Sequence, residues 1–117
     1  MIVPTDDSQE SVAFYTTVMG FQTEGKTGSF EVVRVNLDLT LDFVQADLTP
    51  VHFAFAMDRD TFDGVFNRAK GAGLTYGDGP HSCTNMRGPG KALGSRGTAD
   101  SVFFHDPSGN IIKIQTY

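Results

Sequence analysis

Between positions 33 and 43 the chain alternates without a break. Val33, Val35, Leu37, Leu39, Leu41 and Phe43 share one parity, and Arg34, Asn36, Asp38, Thr40 and Asp42 share the other. Successive side chains on an extended strand point to opposite faces, so this pattern demands a sheet with one apolar and one polar face. The run is long for one strand, and Asn36-Leu37-Asp38 has the composition of a turn, which predicts a hairpin of two strands. Positions 51–57 continue the theme, with Val51, Phe53, Phe55 and Met57 on one side and His52, Ala54 and Ala56 on the other.

Two segments instead carry helical spacing. Across 8–19, Val12, Tyr15, Val18 and Met19 form one apolar stripe, Asp7 supplies an N-cap with Glu10 three residues on, and Gly20 stands where a helix would stop. Across 60–72, Phe62, Val65, Phe66 and Ala69 form the stripe, with Gly71 and Gly73 closing it. Residues 1–5, 21–24, 74–76, 101–105 and 111–117 read as strands. The last two are joined by Asp106-Pro107-Ser108-Gly109-Asn110, a strong turn signal. Positions 77–97 hold six glycines and two prolines with no periodicity and read as a long loop.

The order strand, helix, three strands therefore occurs twice. A shift of 53 residues superposes Asp7 on Asp60, Val12 on Val65, Gly20 on Gly73 and Phe21 on Leu74. The expected architecture is α+β: two tandem βαβββ modules, about 1–48 and 49–117, forming one curved mixed sheet. Its helices would lie on the outer face and its polar strand parity would line a concave cup. A chain of 117 residues suffices for one such domain.

Composition removes several classes of function. A net charge of −5 opposes nucleic acid as the main partner, since phosphate binding needs a basic field. Cys83 is the single cysteine, which excludes disulfide scaffolds and cysteine-rich zinc modules. No apolar run approaches a membrane span, and Asp6 and Asp7 interrupt the place of a signal peptide, so a cytoplasmic protein is expected. The charge is unevenly spread, and Arg87, Lys91 and Arg96 lie in the stretch 79–99 without any acid.

The set Val3-Pro4-Thr5-Asp6-Asp7, Phe14-Tyr15 and Met19-Gly20-Phe21 resembles the first module of the vicinal oxygen chelate superfamily. That group contains glyoxalase I, extradiol dioxygenases, fosfomycin-resistance enzymes and bleomycin-resistance proteins. His52-Phe53-Ala54-Phe55, with Phe62, Phe66 and Gly73, resembles the second module. Phe104-His105-Asp106-Pro107-Ser108-Gly109-Asn110, running on to Ile114, resembles its closing hairpin. The resemblance covers nearly the whole chain and implies a divalent metal, held by His and carboxylate side chains from four strand positions and acting as a Lewis acid.

Carried onto this sequence, the first of those positions falls one place ahead of Met1. The second matches Asp42, a shorter carboxylate than the usual Glu, and the third matches His52. The fourth, counted from Gly109, is Lys113, whose ammonium cannot ligate a metal. The resemblance thus leaves His52 and a doubtful Asp42, and no metal or other cofactor is expected. Lys113 would stand in the place of the cation and pair with Asp42. Against this stands the plainer reading, in which Lys113 reaches solvent and His52 is a satisfied polar residue.

The expected function is binding of a small organic molecule in the cup by a glyoxalase- or bleomycin-resistance-like homodimer. Arg34, Asp42, His52, Lys113 and Tyr117 are the candidate ligand-binding residues. The run Gly88 to Gly97 fails the spacing of a phosphate-binding loop, and Arg87, Lys91 and Arg96 are expected on a lid over the cup. Phe30, Phe103 and Tyr76 are expected in the core. His81, Cys83 and His105 are expected to have no catalytic part. Two alternatives stay open: a metal-dependent lyase or ring-cleaving dioxygenase completed by a partner subunit, and a structural or regulatory homodimer.

Overall fold

Two aspartates open the two helices. A computed structural model describes residues 1–46 and 50–117. Asp7 Oδ1 accepts from the backbone N–H groups of Gln9 and Glu10 and starts helix α1, Ser8–Thr17. Asp58 Oδ1 accepts from the N–H of Thr61 at 2.8 Å and starts α2, Arg59–Gly71. The capping aspartates are therefore Asp7 and Asp58, a shift of 51, and Asp60 lies within the first turn of α2. The helix ends do keep the expected shift: Gly20 and Gly73 sit at φ 77° and 73°, a left-handed backbone that favours glycine.

The chain separates into two units, Met1–Pro50 and Val51–Tyr117. The expected module boundary at 48/49 lies outside the described residues.

In the first unit β1 (Ile2–Thr5), β2 (Gln22–Thr27), β3 (Phe30–Asn36) and β4 (Leu39–Gln45) form one sheet in the order β1-β4-β3-β2. The hairpin expected over 33–43 is β3–β4, and Leu37 at its turn is 93% exposed, so the apolar parity breaks there. On one face Val33, Leu41 and Phe43 are buried, with the Tyr15 ring of α1 against Phe43 at 5.0 Å. The buried side of α1 is Ser8, Ser11, Phe14 and Tyr15 rather than a stripe through Val12, which is half-buried. Ser11 is tolerated inside because its hydroxyl pairs with that of Thr5 at 2.5 Å.

In the second unit β5 (His52–Ala56), β6 (Tyr76–Gly77), β7 (Gly90–Gly94), β8 (Gly97–His105) and β9 (Ile111–Thr116) form a sheet ordered β5-β9-β8-β6, with β7 also on β8. The repeat is explicit: in each unit the first strand pairs in parallel with the last, and the last pairs antiparallel with its predecessor. Hydrogen bonding thus divides the expected single sheet into two, one per unit. Phe53, Phe55, Ile112, Ile114, Val102 and Phe104 are buried together with Phe62, Val65 and Phe66 of α2. Each such side chain contributes about 1.5–3 kcal/mol on removal from water.

The second unit corrects two expectations. Leu74 is not a strand residue; its N–H donates to Ala69 O and closes α2. The stretch 77–97 is not one loop, because β7 forms a hairpin with β8. Gly90-Lys91-Ala92-Leu93-Gly94 does alternate in exposure, but its small residues hide the period from hydropathy. The pairing comes from β8, which no local pattern reports.

Candidate functional site

Period two decides which side chains share the open face of the second sheet. Phe53 and Phe55 point toward the core, so His52, Ala54 and Ala56 point away from it and are exposed. The register places His52 beside Ile111, Ala54 beside Lys113 and Ala56 beside Gln115, and on the other flank Phe103 beside Lys113 and Ser101 beside Gln115. The tip of the β7–β8 hairpin, at Leu93, Gly94 and Ser95, completes a groove of about 530 Å³ with His52, Ala54, Ala56, Lys113 and Gln115.

Lys113 is 7% exposed, rare for a lysine. Its Nζ donates to Leu93 O at 3.1 Å and lies 5.8 Å from the centre of the Phe103 ring, against whose edge the His52 ring also sits at 6.1 Å. Lys113 lines the groove although the hairpin tip shelters it and holds its ammonium at Leu93 O. Gln115 is 6% exposed, and its Oε1 has no hydrogen-bond partner among the described residues. An unpaired buried amide oxygen costs about 1–3 kcal/mol. Alternation placed Gln115 on the parity of Lys113 and Tyr117, so the signal for it was present in the sequence; the hairpin tip had none.

Tyr117 fastens the same hairpin. Its hydroxyl accepts the N–H of Arg96 at 3.1 Å, and the Arg96 guanidinium lies 4.4 Å from the ring centre. The Arg96 N–H, with the Ser95 hydroxyl behind it, holds the phenol below the usual tyrosine range. Of the three residues expected on a lid, Lys91 pairs with Asp100 from β7 and Arg96 stacks on Tyr117 in the hairpin turn. Arg87 alone lies in loop backbone, its N–H on Asn85 Oδ1. Asp100 also binds Arg59 at 2.6 Å, and the two cations, Lys91 foremost, hold its carboxyl below the usual range.

Arg34 and Asp42 belong to the first unit. Arg34 pairs with Glu24 and donates to the carbonyls of Asn36 and Leu37; Asp42 accepts from the Thr40 hydroxyl at 3.0 Å. Each candidate thus has partners inside its own unit, as Lys113 has in Leu93. Burial pushes the Cys83 thiol up, and its Sγ contacts the carbonyls of Gly79 and Pro80. His105 is exposed, while Asp106 serves the turn it was assigned to. Phe103 is 2% exposed, Phe30 and Tyr76 half-buried.

The residues of the groove do not fit a metal. His52 is its single His, Cys, Asp or Glu, and Lys113 brings a positive charge where a ligand would be needed. No group of three such side chains stands together among the described residues. No described helix is long and apolar enough to cross a membrane.

Comparison with known proteins adds the family. No curated protein sequence matches the chain. Among solved structures it is similar to the oxidases ChaP-H2 (28% identity, TM-score 0.85, covering 100% of this chain and 90% of that one) and ChaP-H1 (28%, 0.84, 100% and 92%). A lactoylglutathione lyase from Agrobacterium tumefaciens shares the fold at 19% identity (TM-score 0.71, 99% and 90%). A sequence profile matches residues 1–114, and by it the chain belongs to the Glyoxalase/Bleomycin resistance protein/Dioxygenase superfamily.

Proposed function

We propose that this protein binds a small organic molecule in the groove between β5, β9 and the β7–β8 hairpin, and that it does so without a metal. The observation that carries the reading is Lys113: a lysine sheltered by the hairpin stands at the centre of the open face, between Ala54 and Phe103. An ammonium has three donors, and Leu93 O takes one of Lys113's among the described residues. The others suit an anionic or carbonyl oxygen of a ligand, and burial strengthens such a contact. His52 offers a ring edge and a further polar atom at the groove mouth, and Ala54 and Ala56 a low apolar floor. The reading takes the protein to be a homodimer, as bleomycin-resistance proteins often are.

The likeness to two oxidases favours a second reading, a metal-dependent enzyme of the same superfamily whose missing ligands come from a partner subunit. Elemental analysis of the purified protein, with thermal melts in EDTA and in added Zn²⁺, Fe²⁺, Mn²⁺ and Ni²⁺, separates the two. The binding reading expects substoichiometric metal and the same midpoint in every melt. One metal per chain, or a midpoint that rises with one ion and falls in EDTA, overturns it in favour of the enzyme.

A further inference from the structure

The end of the β7–β8 hairpin runs past the sheet that carries it. Backbone pairing between β8 and β9 extends from His105 opposite Ile111 to Asp100 opposite Thr116 and stops there. Beyond Asp100 the register joins Ala92 to Ala99, Leu93 to Thr98 and Gly94 to Gly97, so among the described residues this end of β8 pairs with β7 alone. A two-stranded ribbon is marginally stable by itself. Leu93, Ser95, Arg96, Gly97 and Thr98 are exposed, and little apolar burial reinforces it. The root is firmer, because Lys91 and Arg59 both bind Asp100.

Two hydrogen bonds bring the ribbon end down onto the open face. Leu93 O accepts Lys113 Nζ at 3.1 Å, and the Arg96 N–H donates to Tyr117 Oη at 3.1 Å, with the Arg96 guanidinium 4.4 Å from the ring centre. The Ser95 hydroxyl stands behind the second bond. The closed position also carries a cost. Gln115 Oε1 lies beneath Gly94, where a Cβ would stand 2.6 Å from it, and it is buried without a hydrogen-bond partner among the described residues. Lifting the tip lets water pair with that oxygen, so part of the loss on breaking the two bonds is returned.

We propose that residues 92–98 form a lid that lifts off the open face as a unit while the rest of the sheet stays folded, with Tyr117 as its latch and the unpaired Gln115 oxygen favouring release. Lifting frees the Lys113 ammonium from Leu93 O and opens the groove, whose rim Leu93, Gly94 and Ser95 form. That gating role rests on the groove being the ligand site proposed above; the motion itself does not.

Lys113 reports the motion, since it is 7% exposed and sheltered by the tip. The full chain is pulsed with the N-hydroxysuccinimide ester of acetic acid, and acetylation of each lysine is followed by mass spectrometry, with the exposed Lys26 and Lys70 as internal references. Lys113 is expected to label more slowly than both, at a rate that stays flat in urea well below the unfolding midpoint, because a local opening exposes little new surface. Y117F keeps the ring and removes the latch hydrogen bond; it is expected to raise Lys113 labelling roughly three- to tenfold. Q115M keeps the side-chain length and removes the unpaired acceptor; it is expected to lower Lys113 labelling by about fivefold or more. Lys26 and Lys70 should not change in either variant. Lys113 labelling that climbs from zero urea with the slope of global unfolding overturns the inference, as does a wild-type Lys113 that labels as fast as Lys26, or one whose rate is the same in both variants. If neither variant folds, the urea dependence of the wild type decides. No ligand enters the experiment, so its failure leaves the binding reading standing, and one bound metal per chain, which overturns that reading, leaves the lid untouched.

Discussion

Replacing Asp106 by alanine removes the acceptor around which the turn between β8 and β9 is built. Oδ1 accepts the backbone N–H groups of Ser108 and Asn110, each at 2.9 Å, and Oδ2 accepts Nδ2 of Asn110 at 2.8 Å. Asp106, Ser108 and Asn110 are 5%, 8% and 0% exposed, so water reaches the orphaned donors poorly. A buried donor without an acceptor costs about 1–3 kcal/mol, and with some water entry at Ser108 the loss for D106A comes to about 3–5 kcal/mol. D106N keeps an oxygen for the two backbone groups but turns a donor toward Nδ2 of Asn110, which costs about 1–2 kcal/mol. The effect extends to the groove. Asn110 Oδ1 accepts the N–H of Val51 at 3.0 Å and Val51 O accepts that of Ile111 at 2.9 Å, the joint that sets β5 in register on β9 and His52 beside Ile111. Urea unfolding followed by circular dichroism measures the two losses, and amide hydrogen exchange at Val51 reads the joint directly. D106A is expected to lose about 2 kcal/mol more than D106N, with faster exchange at Val51 in both. Equal losses in the two variants, or a loss below about 1 kcal/mol for D106A, would refute the reasoning.

Two further predictions concern charge and space. The N–H of Thr61, and after it the Thr61 hydroxyl, hold the Asp58 carboxyl below its usual range, so its contribution to α2 is complete above the ordinary aspartate pKa of about 3.9 and is lost as pH falls through the depressed folded value; melts between pH 6 and pH 2 should fall less steeply in D58N than in the wild type. Gly94→Ala puts a methyl group 2.1 Å from Tyr117 Oη and forces the ring off the Arg96 N–H. In the wild type the Tyr117 phenol should ionise below the usual tyrosine range in a titration followed by ultraviolet absorbance; in G94A that phase should return to the ordinary range and the Arg96 amide should exchange faster, and an unchanged titration would contradict the assigned contact.

Much of the fold is legible in local pattern because its elements are two-faced. The parity of residues 33–43 gave the β3–β4 hairpin, and the stripe Phe62, Val65, Phe66 and Ala69 gave the buried side of α2. Legibility fails where a residue's role depends on a partner distant in sequence. Ser11 is buried on α1 because its hydroxyl pairs with that of Thr5, a pairing invisible to hydropathy. Strand β7 exists because β8 supplies its hydrogen bonds, and a run of glycines and a lysine cannot announce it. The resemblance points to Lys113 and not to Gln115, although both share one parity on β9.

By itself the sequence determined the two-faced strands, the cap of α1, the glycines that end both helices and the repeated order of a strand, a helix and further strands, since these depend on side-chain period and residue chemistry within a few positions. Tertiary structure alone decided that 90–97 folds back as a hairpin, that Leu93 O holds the Lys113 ammonium, that Tyr117 fastens the tip through Arg96, and that Gln115 Oε1 is buried without a partner. Those facts arise from contacts between strands whose separation along the chain carries no periodic signal, and it is they that give the groove its shape and its chemistry.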